Sequence, residues 1–76
     1  MNIKVYGADW CPECVNAKNF LNSNGEECEY IDITDNPEAI ALVEEINNGR
    51  RVIPTLLVDG VSHTNPGIAG LMKLIA

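Results

Sequence analysis

Two cysteines, Cys11 and Cys14, flank a Pro-Glu pair in the segment WCPEC. Such a pair can be half of a zinc site, part of a structural disulfide or a redox centre. A zinc site would need two more soft ligands, and only Cys28 and His63 remain in the chain. We expect Cys28 to be a small apolar residue of a strand and His63 to lie on the surface of a hairpin. The redox interpretation is therefore favoured.

The residues around Cys11 place it at the start of a helix. Pro12 suits the first helical position, because its missing N–H costs no hydrogen bond there. Unpaired N–H groups and the helix dipole then stabilise a thiolate, which is the nucleophilic form of cysteine. Cys14, one turn later, is more enclosed and can attack a mixed disulfide formed at Cys11. The spacing predicts an exposed attacking thiol and a buried resolving thiol.

Three neighbours modify this site. Glu13 and Asp9 add negative charge where the thiolate forms, and Glu13 also competes for the helix dipole. Trp10, directly before Cys11, either packs beside the site or forms one wall of a substrate groove. We include Pro12, Glu13 and Trp10 among the candidate substrate-binding residues.

Pro54 supplies the second half of the predicted site. It stands directly before a strand and after the β-branched Ile53, and the upstream cysteine pair with its strand–helix–strand unit favours a cis bond here. The Ile53 backbone would then lie beside the thiols, where an extended substrate can add main-chain hydrogen bonds. Arg50 and Arg51 either interact with the dipole at the end of the second helix, or one of them pairs with a substrate carboxylate.

The hydrophobic patterns predict elements in the order β-α-β-α-β-β-α. Strands are expected at residues 2–6, 27–33 and 55–59, with a short partner around VSHT after an Asp-Gly turn. The first helix should run from Pro12 to about Asn24, and the second should begin after Asp35 or Asn36 and end at Gly49. This order predicts an α/β fold with a four-stranded mixed sheet, parallel between the first two strands, and helices on both faces.

The last predicted helix lies in NPGIAGLMKLIA. Asn65 is expected to cap it, with Pro66 in its first turn. Its apolar face is predicted to comprise Ile68, Leu71, Met72 and Ile75.

Composition limits the function further. A chain of 76 residues with 46% apolar and 21% charged residues indicates one globular, soluble domain, residues 1–76. The net charge of −6 argues against nucleic acid as a partner, because phosphate binding needs clustered Lys and Arg. We see neither a targeting segment nor an apolar run of about 18 residues, so we expect a cytoplasmic monomer without a membrane partner.

The segments WCPEC, YIDI and VIPTLLVDG resemble the glutaredoxin branch of the thioredoxin superfamily, over essentially the whole chain. Within that branch, NNGRRVIPTLLVDGVSHTNP is most similar to the mycoredoxins. The resemblance implies a thioredoxin-like fold, Cys11 as nucleophile, Cys14 as resolving thiol and Pro54 as a cis-proline. It also implies that Ile53 offers its backbone to the substrate and that Asn65 helps to bind a small thiol.

The implied function is thiol–disulfide exchange on disulfide-containing proteins or mixed disulfides, with no tightly bound cofactor. Ala8 stands where glutathione-using members commonly have Lys, so the electron donor stays open between glutathione, mycothiol and a flavoprotein of the thioredoxin reductase type. The alternative is an iron–sulfur or metal-binding module in which two protomers share a cluster through the first Cys and an external thiol. Pro12 disfavours that alternative, since cluster-holding members more often lack it.

Overall fold

A computed structural model describes residues 1–76 and contains one four-stranded sheet. Its strands are β1 (Ile3–Gly7), β2 (Glu29–Asp32), β3 (Thr55–Val58) and β4 (Val61–Thr64), in the spatial order β2-β1-β3-β4. The central strand β1 is parallel to β2 and antiparallel to β3, and β3 and β4 form an antiparallel hairpin. The predicted mixed sheet and the predicted order of elements are confirmed.

Three helices cover the two faces of this sheet: α1 (Pro12–Ser23), α2 (Pro37–Ile46) and α3 (Gly67–Ile75). Successive side chains of a strand point to opposite faces, so β1 contributes to two separate cores. The core under α1 and α3 consists of Ile3, Val5, Ala17, Leu21, Leu56, Val58 and Leu71. The core under α2 consists of Tyr6, Ile33, Ala39 and Val43. None of the helices has the length and apolar character that crossing a membrane requires.

Two of the predicted local signals are confirmed. The Asn36 side chain caps α2 by accepting a hydrogen bond from the Ala39 amide at 3.1 Å. Asp59 and Gly60 have φ values of 51° and 84°, and positive φ at both central residues suits the tight β3–β4 hairpin.

Helix α2 ends earlier than the sequence predicts. Its last residue is Ile46 rather than a residue next to Gly49, because the Asn47 side-chain amide donates to the Val43 carbonyl at 2.8 Å. Arg50 and Arg51 therefore lie in the connection to β3, and the expectation that they end the helix is wrong.

The predicted start of α3 is also wrong. Pro66 occupies the capping position, and no side chain caps the helix. Asn65 instead adopts a left-handed backbone with φ of 42°, which lets its amide donate to the Pro54 carbonyl at 2.7 Å. The predicted apolar face is only partly buried: Leu71 is in the core, while Ile68 and Met72 are exposed.

Candidate functional site

Cys11 lies at the N-terminal end of α1, as the sequence predicts. It occupies the capping position with an extended backbone, φ −98° and ψ 111°, and its side chain does not cap the helix. Its amide donates to the Ala8 carbonyl at 3.0 Å, and its carbonyl accepts from the Val15 amide at 3.1 Å. Cys11 is half-buried, so part of it is open to a substrate next to the positive end of the helix dipole.

Cys14, one turn further along α1, is fully buried. Burial raises the pKa of its thiol to about 12, and a hydrogen bond with the Cys11 side chain acts in the same direction. The charges on Cys11 and Glu13 raise it further, while a hydrogen bond with the Ala8 backbone lowers it. At neutral pH Cys14 is therefore a thiol that can donate to the Cys11 sulfur.

Gly7, the last residue of β1, makes room for Cys14. A Cβ atom placed on Gly7 would lie 2.8 Å from both the Cβ and the Sγ of Cys14, closer than real Cβ atoms approach. Any larger residue at this position would displace the side chain of Cys14. In the sequence, Gly7 indicates only the end of a strand, and no local pattern shows that it also makes room for Cys14.

Two clefts flank the dipeptide formed by Ile53 and Pro54, whose peptide bond is cis as predicted. One cleft, of about 320 Å³, is lined by Glu13 and Pro54 together with Asn16, Ala17, Asn65, Pro66, Gly67, Ile68 and Leu71. The other, of about 140 Å³, is lined by Trp10 and Ile53 together with Ile33, Thr34, Ile40 and Arg51. Each cleft is thus lined by a residue within two positions of Cys11 and by one member of the cis peptide.

The predicted substrate-binding residues divide between these clefts. Glu13, Pro54 and Asn65 lie in the larger one, and Trp10, Arg51 and Ile53 lie in the smaller one. Pro12 lines neither cleft and is exposed at the first position of α1. The two clefts differ in charge, because Glu13 is the only charged residue of the first and Arg51 is the only charged residue of the second.

Trp10 is exposed over 71% of its surface and is held at its ring nitrogen. Its Nε1 donates to Thr34 Oγ1 at 3.3 Å, and the Thr34 amide donates to Asp32 Oδ1 at 2.8 Å. Asp32 Oδ2 accepts from the Asp9 amide at 3.3 Å. Hydrogen bonds from Thr34, side chain and amide, and from the Asp9 amide hold the pKa of Asp32 below its ordinary value. An ionised Asp32 thus anchors the loop that carries Trp10.

Arg51 has a partner in the protein. Its Nη2 lies 3.5 Å from Glu44 Oε2, and both side chains are substantially exposed. Exposed ion pairs of this kind contribute about 0–1 kcal/mol. Arg51 is therefore available for a substrate carboxylate at little cost.

The polar residue Asn47 holds the Pro54 segment in place. Its Nδ2 donates to Thr55 Oγ1 at 3.1 Å, and its Oδ1 accepts from Thr64 Oγ1 at 2.6 Å. Thr55, which is fully buried, donates in turn to the Val52 carbonyl at 2.8 Å. Asn47 thereby connects the end of α2 to β3, which begins directly after Pro54, and to β4.

The sequence reasoning missed three positioning residues, namely Asp32, Thr34 and Asn47. Asp32 is the last residue of β2 and Thr34 lies just beyond it, and at such a position an Asp side chain commonly hydrogen-bonds to the backbone two residues on. That signal was present in the sequence. Asn47 bonds to Thr55 and Thr64, which are 8 and 17 residues away, and no local sequence pattern predicts such contacts.

Cys28 and His63 do not join the site. Cys28 is half-buried against the core under α1, and burial raises the pKa of its thiol. His63 lies on β4, paired with Leu56 of β3. No group of three or more His, Cys, Asp or Glu side chains lies close enough together to hold a metal ion.

Comparisons with known proteins agree with this geometry. The family model described as glutaredoxin matches residues 3–63. Mycoredoxin 1 of Corynebacterium glutamicum is 38% identical to the chain over 75 residues, which cover 97% of this chain and 92% of that protein.

Solved structures show the same likeness. The crystal structure of the thioredoxin-like protein BC3987 superimposes with a TM-score of 0.81 at 29% identity, covering 95% of this chain and 97% of the other. The solution structure of glutaredoxin from Brucella melitensis gives a TM-score of 0.73 at 29% identity, covering 99% of this chain and 78% of the other. The fold is thioredoxin-like, and the chain belongs to the glutaredoxin family.

Proposed function

We propose that the protein is a thiol–disulfide oxidoreductase that reduces disulfides through Cys11 and Cys14. The Cys11 thiolate attacks one sulfur of a substrate disulfide, which forms a mixed disulfide and releases the other sulfur as a thiolate. Cys14 then loses its proton and attacks the Cys11 sulfur. The Cys11–Cys14 disulfide forms, the bond to the substrate breaks, and the leaving thiolate takes up a proton. The substrate gains two electrons, and the protein dithiol loses them.

The unequal environment of the two thiols is the observation that carries this proposal. Cys11 is partly exposed at the helix N-terminus, while Cys14 is buried with a pKa of about 12. A thiol that keeps its proton does not compete for the first attack, and it can donate a hydrogen bond to the Cys11 thiolate. The roles of attacking and resolving thiol follow from this difference.

The clefts favour an extended substrate. We propose that the substrate chain lies across the Ile53 backbone, with a carboxylate near Arg51 and a neutral or cationic group near Glu13. Glutathione carries two carboxylates and one ammonium group; Arg51 can pair with one carboxylate, and the larger cleft offers the other only Glu13 and no Lys or Arg. Mycothiol, a sugar-based thiol without a carboxylate, avoids that repulsion, so we propose it as the better small-thiol partner. Asn65, whose backbone is fixed on Pro54, contributes hydrogen-bonding groups to this cleft.

The reductase proposal is tested by the Cys11→Ser variant in a disulfide reduction assay. We expect no activity above background, while Cys28→Ser, which changes a thiol outside the site, should keep the parent rate. Cys11→Ser with parent activity would rule out the proposed nucleophile.

The electron donor is tested by regenerating the oxidised protein with three systems: glutathione, mycothiol, and a flavoprotein of the thioredoxin reductase type. We expect mycothiol to act faster than glutathione, and a faster reaction with glutathione would contradict the charge argument. Regeneration by the flavoprotein alone would show that no small thiol is required. We further propose that the protein works as a monomer in the reducing cytoplasm.

A further inference from the structure

Tyr30, on β2, carries a buried hydroxyl group that has no hydrogen-bond partner. Buried polar groups are almost always paired, because leaving one unpaired costs roughly 1–3 kcal/mol. The orphaned hydroxyl is the only buried side-chain nitrogen or oxygen atom in the protein without a partner. Such an exception calls for an explanation from the groups that surround it.

The hydroxyl lies beside the resolving thiol. A Cβ atom placed on Gly7 would be 2.8 Å from the Cys14 sulfur and 3.2 Å from the Tyr30 oxygen. Both groups therefore border the small space above the bare Cα of Gly7. Glycine is the residue that leaves this space open between the two.

The ring of Tyr30 is held in place by contacts with the core under α1 and with Lys18. Tyr30 is in register with Val5 of β1, and it packs against the core under α1. The Lys18 ammonium of α1 lies 4.9 Å from the ring centroid, a distance typical of cation–π contacts. The hydroxyl is thus held on the Cys14 side of the sheet.

Tyr30 keeps its proton at neutral pH. Burial raises its pKa to about 12, and negative charge at Cys14, Asp9, Asp32 and Cys11 raises it further. A protonated hydroxyl next to a sulfur is a hydrogen-bond donor. The sulfur of a protonated Cys14 is only a weak acceptor, so the hydroxyl gains little by bonding to it in the dithiol state.

Building on the proposed dithiol function, we propose that the Tyr30 hydroxyl is a positioning residue for the resolving step, donating a hydrogen bond to the Cys14 sulfur when that sulfur is anionic. Cys14 is anionic twice in a cycle. It is the attacking thiolate when the Cys11–Cys14 bond forms, and it is the leaving thiolate when a donor thiol attacks the Cys11 sulfur and breaks that bond. Tyr30 keeps its own proton in both steps, so the stoichiometry of thiol–disulfide exchange is unchanged.

The test separates the two steps of exchange by using an aromatic disulfide that releases a coloured thiolate. The first attack, by Cys11, releases one coloured thiolate, and resolution by Cys14 releases the second. Stopped-flow absorbance then shows two phases, measured in a Cys28→Ala background so that only two thiols react. The variants compared are Tyr30→Phe and the control Tyr6→Phe, which removes the hydroxyl of the other tyrosine, whose ring packs in the core under α2.

We expect Tyr30→Phe to leave the first phase unchanged and to slow the second about ten-fold, the factor that one hydrogen bond to a charged group supplies. Tyr6→Phe should change neither phase. The thermal stability of Tyr30→Phe should equal or exceed that of the parent, because the substitution removes an unpaired polar atom. An unchanged second phase in Tyr30→Phe, or an equal slowing of both phases, would overturn the role of the hydroxyl.

A second measurement uses the fact that the chain has two tyrosines, Tyr6 and Tyr30. In the Tyr6→Phe protein, uniform replacement of tyrosine by 3-fluorotyrosine changes position 30 alone and makes its hydroxyl a stronger donor. The second phase should then be faster than with tyrosine, whereas a ring that only fills space would give the same rate with either side chain. The Cys11→Ser variant tests the dithiol proposal separately: loss of its first phase shows that Cys11 is the nucleophile, whatever the result for Tyr30. A failure of the dithiol proposal is therefore distinguishable from a failure of the proposal for Tyr30.

Discussion

The substitution Gly7→Ala tests the packing that buries the resolving thiol. The added methyl group would lie 2.8 Å from the Cβ and the Sγ of Cys14, so Cys14 or the end of β1 must move. Overfilling a tightly packed core typically costs about 1–3 kcal/mol. For a domain of this size, that corresponds to a fall in melting temperature of roughly 5–20 °C. Gly7 has no positive φ, so the methyl group acts only through the space that it fills.

The assay combines thermal unfolding of the reduced protein with the two-phase exchange reaction. We expect a lower melting temperature together with a slower second phase, because Cys14 no longer points at the Cys11 sulfur. Gly25→Ala is the matched control: its φ of 74° makes Ala unfavourable by about 1 kcal/mol, but its new methyl group would meet nothing within 4 Å. The control should lose stability and keep both phases. Parent stability and parent kinetics in Gly7→Ala would refute the packing of Cys14 against Gly7.

Three further predictions concern other parts of the site. Asn47→Ala should lower the free energy of unfolding by about 1–3 kcal/mol in urea titrations, because it leaves the buried Thr55 hydroxyl without its donor; no loss would show that water replaces the amide. Between pH of about 9 and 12 the free energy of unfolding of the reduced protein should fall, because burial raises the pKa of Cys14 to about 12 and the unfolded chain releases this proton at lower pH. An equal change of the free energy of unfolding with pH in the reduced and the Cys11–Cys14 oxidised proteins would contradict this. Glu13→Lys should raise the rate with glutathione about five-fold relative to mycothiol, as expected for about 1 kcal/mol of surface attraction; an unchanged ratio of the two rates would count against a role for Glu13 in selecting the thiol.

The helix and strand pattern was predictable because it depends on local signals. Alternating apolar residues, the Asn36 cap and the Asp59–Gly60 turn act within a few residues of the chain. The end of α2 and the start of α3 could not be predicted in this way. Asn47 and Asn65 are ordinary capping residues by type, yet distant contacts decide what each of them does: Asn47 bonds to Thr55 and Thr64, and Asn65 is held by Pro54.

The same division applies to the site. The different environments expected for Cys11 and Cys14 followed from the helix start, which the Pro12 signal fixed locally. The hydroxyl of Tyr30 lies next to Gly7 only because β2 pairs in parallel with β1. The register of β2 against β1 is a property of the assembled sheet, and the sequence around Tyr30 predicts only a strand.

The most direct test of the dithiol mechanism is to identify the intermediate by intact-mass measurement. All proteins carry Cys28→Ala, so that only the two thiols of the site can react. The Cys14→Ser variant cannot resolve a mixed disulfide, so after reaction with a small disulfide it should accumulate one adduct, located at Cys11. The reduced protein with both Cys11 and Cys14 should instead end as the internal disulfide without an adduct, and Cys11→Ser should remain unmodified at Cys14, which is buried. An adduct on Cys14 in the Cys11→Ser variant, formed as fast as the Cys11 adduct, would contradict the assignment of attacking and resolving thiols.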